Sequence, residues 1–130
     1  MDRKLIFINL LLTTTVFCWG QEAKNDCKKF KTGKFTYKEE SFNSVIIKRT
    51  KNRQNEHDLK SGLKIKYKIH WTGDCEYELI SLWSNDQEVR KHKGSIIKVK
   101  ILSTFNDSYE YIADYEGSIT QYTVVRLQKQ

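Results

Sequence analysis

Apolar and polar residues alternate along most of the chain, in short segments separated by Gly, Asn, Asp and Ser. The clearest segment is 63–71, in which five apolar residues alternate with three lysines and a histidine. A period of two places the apolar side chains on one face of a β-strand and the basic side chains on the other. A helix would instead scatter the lysines around its axis. The pattern therefore predicts a half-buried strand.

The same alternation recurs about every ten residues and predicts an all-β, antiparallel meander of about eight strands, folded as a small barrel or half-barrel. The segment 53–57 is polar and is interpreted as an edge strand or a hairpin return. Asp86–Lys93 has no strand pattern and fits one helical turn or a long loop. The predicted strands are 34–38, 44–50, 53–57, 63–71, 75–83, 95–104, 109–115 and 119–127.

The hairpin formed by 63–71 and 75–83 has a predicted register. A three-residue turn, 72–74, places Trp71 opposite Cys75, and the remaining pairs follow from it. Because exposed Lys–Glu pairs contribute only a few tenths of a kcal/mol, the lysines are interpreted as a solvated face that fixes the register and not as a binding surface. The other predicted pairs are Ile69 with Tyr77, Tyr67 with Leu79, His70 with Glu76, and Lys68 with Glu78.

The first twenty residues have the pattern of an export signal. Arg3 and Lys4 precede the largely apolar segment 5–17, which is too short for a membrane span of about 20 residues. Residues 1–20 are therefore predicted to be a signal peptide, and 21–130 a single domain exported to the periplasm or the medium. The alternative is a lipoprotein anchored through Cys18, although the large Phe17 stands where such a signal has a small residue. A membrane is an expected partner only if Cys18 is lipidated.

Composition narrows the class of protein further. A length of 130 residues leaves room for one modest core and excludes a multidomain enzyme. The chain carries a formal net charge of +7 and contains no proline. Removal of the signal peptide leaves two cysteines, Cys27 and Cys75. An even number in an exported chain predicts a disulfide, the alternative being two buried thiols.

Two sequence blocks carry a family resemblance. The segment 27–35 (CKKFKTGKF) and the segment 71–79 (WTGDCEYEL) fit the patterns CxxFKTGxF and WTxDCxYxL. The chain thereby resembles small secreted proteins of the Bacteroidetes, flavobacteria especially. The resemblance implies a lipocalin-like β-barrel with no established activity, and it favours pairing of Cys27 with Cys75. Some of these relatives carry a label of DNA topoisomerase IV, which so short a chain does not support.

Catalytic and metal-binding patterns are missing from the sequence. The three histidines lack chelating spacings, and neither GxSxG nor HExxH occurs. The acidic pair Glu76 and Glu78 is interpreted as the partner of the facing lysines. We therefore expect no enzyme activity, no cofactor and no metal. Nucleic-acid binding is not expected either, because the aromatic residues of the hairpin lie on the face opposite its lysines.

Two functions remain. The first, which is the leading hypothesis, is a non-catalytic exported barrel that has a purely structural role or binds a surface partner. The second is a lipocalin-like binder of a small apolar ligand, since aromatic residues are predicted to share the inner face. The candidate lining residues are Tyr67, Trp71, Tyr77, Trp83, Tyr109 and Tyr111.

Overall fold

A computed structural model describes residues 25–128 of the chain. The predicted signal peptide, 1–20, with Cys18, lies outside the described residues. Within residues 25–128, no helix is long and apolar enough to cross a bilayer.

Eight antiparallel strands form a closed barrel in which each strand pairs with its neighbour along the chain and β8 pairs with β1. This confirms the all-β meander, and the barrel is fully closed. A four-residue helix, α1 (Gln87–Arg90), lies within Asp86–Lys93, for which the sequence predicted one helical turn or a long loop. The strands are β1 (Gly33–Tyr37), β2 (Val45–Arg49), β3 (Arg53–Asp58), β4 (Lys64–Trp71), β5 (Glu76–Ser84), β6 (Ile96–Thr104), β7 (Ser108–Tyr115) and β8 (Ser118–Arg126).

Of the two options that the sequence left for the polar strand β3, the structure has the hairpin return and not the edge strand. The strand lies between β2 and β4 and is hydrogen-bonded on both sides. A closed barrel has no edges, so alternate residues of β3 must point inward even though they are polar. Gln54 is accordingly buried, and Glu56 is half-buried.

The predicted register between β4 and β5 is wrong by two residues. Trp71 pairs with Tyr77 and not with Cys75, and His70 therefore faces Glu78. The turn is longer than three residues, because the Glu76 carbonyl accepts hydrogen bonds from the amides of both residues 72 and 73. Since side chains alternate with a period of two, the shift preserves both faces but changes every partner. Lys68 consequently faces Ile80, an uncharged residue.

A β-bulge changes the outer part of the same hairpin. Lys66 pairs with Trp83, whereas Tyr67 pairs with Ser81, so β5 contains one extra residue at this point. The extra residue reverses the alternation. Trp83 consequently points outward and is 39% exposed, contrary to its predicted inward position, while Ser84 is buried.

The N-terminal segment closes one end of the barrel. The 3-10 helix Lys28–Phe30 places Phe30 fully inside, and the disulfide Cys27–Cys75 ties this helix to the β4–β5 turn. The predicted disulfide is therefore confirmed. From β8, the Arg126 guanidinium lies over the Phe30 ring and donates hydrogen bonds to the carbonyls of Thr32 and Lys29. This end is the closed end; the opposite end, with the β1–β2 and β3–β4 turns, is the mouth.

Candidate functional site: the barrel interior

The barrel encloses a cavity of about 290 Å³ to which all eight strands contribute side chains. All seven tyrosines of the chain line it. Their hydroxyl groups make the wall amphipathic, because each ring supplies apolar surface and each hydroxyl supplies a donor and an acceptor. The tyrosines are Tyr37, Tyr67, Tyr77, Tyr109, Tyr111, Tyr115 and Tyr122.

Four of the six candidate lining residues, Tyr67, Tyr77, Tyr109 and Tyr111, lie on the cavity wall. The two tryptophans do not. Trp71 is half-buried toward the closed end, where its ring packs 4.6 Å from that of Tyr77. Trp83 lies on the outer surface because of the β-bulge.

A buried arginine, which the sequence did not reveal as a site residue, forms the floor of the cavity. Arg49 is only 4% exposed. Its Nε donates to Gln54 Oε1 (2.9 Å) and its Nη1 to the Phe30 carbonyl (2.9 Å). Nη2 donates to the hydroxyls of Tyr77 (3.2 Å) and Tyr109 (2.8 Å). Arg49 thereby joins the closing helix to three strands of the wall.

No carboxylate forms a direct ion pair with Arg49 in the described part of the chain. Instead, the guanidinium carbon lies 4.9 Å from the centre of the Phe35 ring and 5.0 Å from that of Tyr77. Cation–π contacts and neutral acceptors thus hold the charge. Because a buried cation without a paired carboxylate gains strongly from a nearby anion, this end of the cavity favours an anionic group.

The Arg49 cluster also has more donors than acceptors. Four of the five N–H groups of Arg49 are used in the four contacts above, which leaves one on Nη1. The hydroxyls of Tyr77 and Tyr109 are 2.9 Å apart, so one donates to the other. The second hydroxyl proton has no acceptor among residues 25–128. The cluster can therefore donate to an acceptor placed in the cavity.

An acidic group lies on the same wall, one layer closer to the mouth. Glu56 points into the cavity two residues after Gln54 on β3, and its Oε1 accepts a hydrogen bond of 2.7 Å from the Tyr37 hydroxyl. Burial raises the pKa of this carboxyl, and the opposing effects of the Tyr37 hydrogen bond and the Arg49 charge do not cancel that rise. The neutral, protonated form is favoured more strongly here than in water.

The raised pKa of Glu56 predicts a pH-dependent effect of Glu56→Gln. Below the ordinary glutamate pKa the side chain is protonated in both the folded and unfolded states, so the variant should match the wild type in stability. As the pH rises above the ordinary glutamate pKa, Glu56 ionises in the unfolded chain before it ionises in the folded protein. Ionisation stabilises the unfolded chain, so the wild type loses stability, whereas the glutamine of the variant does not ionise. The variant should therefore become the more stable protein as the pH rises from 4 to 8. Thermal unfolding followed across this range tests it; a constant difference in midpoint would contradict it.

A second cavity, of about 270 Å³, lies at the mouth. It shares Tyr37, Glu56 and Tyr122 with the inner cavity, so these three side chains stand between the two spaces. The exposed ring of Phe42 packs edge-on against Tyr37 (6.0 Å) and Tyr122 (5.6 Å). Asp58 lies at the same rim, where hydrogen bonds from the hydroxyls of Ser44 and Ser61 lower its pKa to about 2. The approach to the cavity is thus aromatic on one side and acidic on the other.

The sequence interpretation missed Arg49, Gln54, Glu56 and Tyr37. The available signal was the alternation itself: Gln54 and Glu56 have the spacing of inward residues, as do Arg49 and Ile47 on β2. The polar character of β3 suggested an exposed strand. Only the closure of the barrel shows that these side chains point inward.

The other candidate groups remain apart. Among the described residues, no three His, Cys, Asp or Glu side chains are grouped closely enough to hold a metal ion. His57 and His70 lie on the outer surface of β3 and β4, and His92 lies in the loop after α1. Glu76 and Glu78 also face outward, where they pair with Lys100 and Lys98 of β6. Comparison of the chain with protein families, curated proteins and solved structures finds no match.

Proposed function

We propose that the protein is an exported, non-catalytic binder of a small molecule, which it holds inside the barrel. The observation that carries the proposal is the inner cavity of about 290 Å³. A barrel with a purely structural role packs its interior to normal density, whereas ligand pockets begin at about 300 Å³. The mouth cavity extends the available space toward solvent. The disulfide is consistent with the oxidising compartment that export requires.

The chemistry of the wall supports a ligand with two parts. An apolar or aromatic body would pack against the tyrosine rings, and an acceptor group, preferably anionic, would take the free donors of the Arg49 cluster. Such a ligand differs from the small apolar ligand of the alternative sequence hypothesis, because Arg49 and Glu56 were not recognised as inward residues. A surface partner remains the competing function, and it requires no occupant in the cavity.

Two related dyes test the proposal directly. N-phenyl-1-naphthylamine is neutral, and 8-anilino-1-naphthalenesulfonate has the same ring system with an added anionic group. We expect saturable, one-to-one fluorescence enhancement, with tighter binding of the anionic dye. Absence of saturable binding of both dyes would contradict the proposal.

A cavity-filling variant supplies the control. Ala113 lines the inner cavity, so Ala113→Leu adds bulk to it without removing a hydrogen bond. Its neighbour Ile112 lies on the outer surface, and Ile112→Leu is the matched control. We expect Ala113→Leu to weaken dye binding at least tenfold, while near-ultraviolet circular dichroism shows an intact fold. Equal binding by both variants would place the dye outside the barrel.

A further inference from the structure

The outer surface of β1–β4, called here the basic face, carries six positive charges with only neutral residues between them. The outward side chains of these four strands include no Asp or Glu, whereas those of β5 and β7 include several. All six cations of the face are exposed. They are Lys34, Lys48, Arg53, Lys64, Lys66 and Lys68.

Like charges lie directly opposite one another on the basic face. Lys34 pairs with Lys48 across β1 and β2, and Arg53 pairs with Lys68 across β3 and β4. Such pairs destabilise a sheet, because cross-strand neighbours are only about 5 Å apart. The arrangement does not serve the fold, and the register of β4 with β5 leaves Lys68 without its predicted acidic partner.

On the opposite side of the barrel, by contrast, the outward lysines face acidic side chains. There Lys100 pairs with Glu76, and Lys98 lies between Glu78 on β5 and Asp114 on β7. Positive and negative groups alternate around these strands. The excess positive charge on the outer surface of the strands is therefore concentrated on β1–β4.

Two exposed apolar side chains at the border of the basic face suit a lipid surface. Trp83 of β5, 39% exposed, lies beside Lys66 of the face, whose Nζ is 5.4 Å from the ring centre. Leu59, in the β3–β4 turn, is 64% exposed. Tryptophan and lysine together suit the membrane–water interface, where the ring enters the headgroup layer and the ammonium remains hydrated. Five of the six cations are lysines, which act as mobile point charges, whereas arginine would favour fixed two-pronged recognition.

We propose that the basic face docks on a membrane surface containing anionic phospholipids. A groove of about 480 Å³ offers space for a phosphate headgroup, and its lining contains four lysines and one acidic residue, Glu56. The lysines are Lys34, Lys48, Lys64 and Lys66. Several lysines near an anionic surface together give substantial, salt-sensitive attraction. This docking arises from the barrel itself and requires no lipid on Cys18. It is also independent of what the inner cavity binds.

Co-sedimentation with vesicles tests the docking. The vesicles contain phosphatidylcholine alone or with about a third phosphatidylglycerol. The protein is recovered from the exported fraction, and every variant has the same N-terminus, so any contribution from that segment cancels. We expect binding only to the anionic vesicles. The bound fraction should fall steeply as the salt concentration rises from about 50 to about 300 mM, because salt screens the charges. Lys48→Gln with Lys66→Gln should lower the partition coefficient at least tenfold.

The matched control is Lys98→Gln with Lys100→Gln, which removes the same net charge from the neutralised side. This variant should bind nearly as well as the wild type. Trp emission should shift to the blue on binding, and Trp83→Phe should abolish most of the shift. Equal weakening by the two double variants, or equal binding to neutral vesicles, would overturn the proposal. Retention on a sulfated polysaccharide without vesicle binding would overturn it in favour of a glycan.

Discussion

Replacing both Cys27 and Cys75 with alanine is expected to lower the free energy of unfolding by about 4 kcal/mol. The two residues are separated by 48 positions, and a cross-link across a loop of that length removes considerable entropy from the unfolded chain. Alanine avoids placing a hydroxyl at Cys27, which is 1% exposed. For a domain of this size the thermal midpoint should fall by roughly 15 °C or more.

The loss should also act on the closed end of the barrel. Cys27 directly precedes the 3-10 helix that places Phe30 inside, so the double variant should loosen this closure before the strands separate. Thermal unfolding followed by circular dichroism measures the effect. Reductant should lower the midpoint of the wild type and leave that of the double variant unchanged. Identical midpoints of the wild type with and without reductant would contradict the prediction.

Arg49→Ala should have an effect of similar size, about 3 kcal/mol. The substitution leaves the Phe30 carbonyl, Gln54 Oε1 and two tyrosine hydroxyls without their donor. Unsatisfied buried groups cost about 1–3 kcal/mol each, although water entering the enlarged cavity would offset part of that cost. Urea unfolding measures the change.

Milder variants separate the charge of Arg49 from its geometry. Arg49→Lys keeps the charge but cannot reach four acceptors at once, so its stability should fall between those of Arg49→Ala and the wild type. Tyr109→Phe removes one hydroxyl from the network and should cost about 1 kcal/mol. Urea midpoints for Arg49→Ala equal to the wild type would show that the network does not stabilise the closed end.

The sequence determined the strands of this protein largely by itself. Alternation with a period of two is a local property, because it depends only on which side chains can share one face of a strand. Residues 63–71 show it without ambiguity, and the structure has β4 at Lys64–Trp71. Turn residues between the segments likewise predicted the meander, and the two cysteines predicted the disulfide without any knowledge of the packing.

Tertiary structure decided which partner each strand residue meets and which polar residues are inside. The turn after β4 and the bulge beside Tyr67 depend on contacts between strands, and they shifted the register by two and turned Trp83 outward. Arg49 and Glu56 are inside because β8 returns to β1 and closes the barrel, a pairing between distant parts of the chain that no local pattern records. The lysines of β4 were visible in the sequence, but whether they are neutralised depends on the strands beside them. The cavity therefore depends on closure of the barrel. The basic face depends instead on the register between consecutive strands, which sets Lys34 opposite Lys48 and Arg53 opposite Lys68.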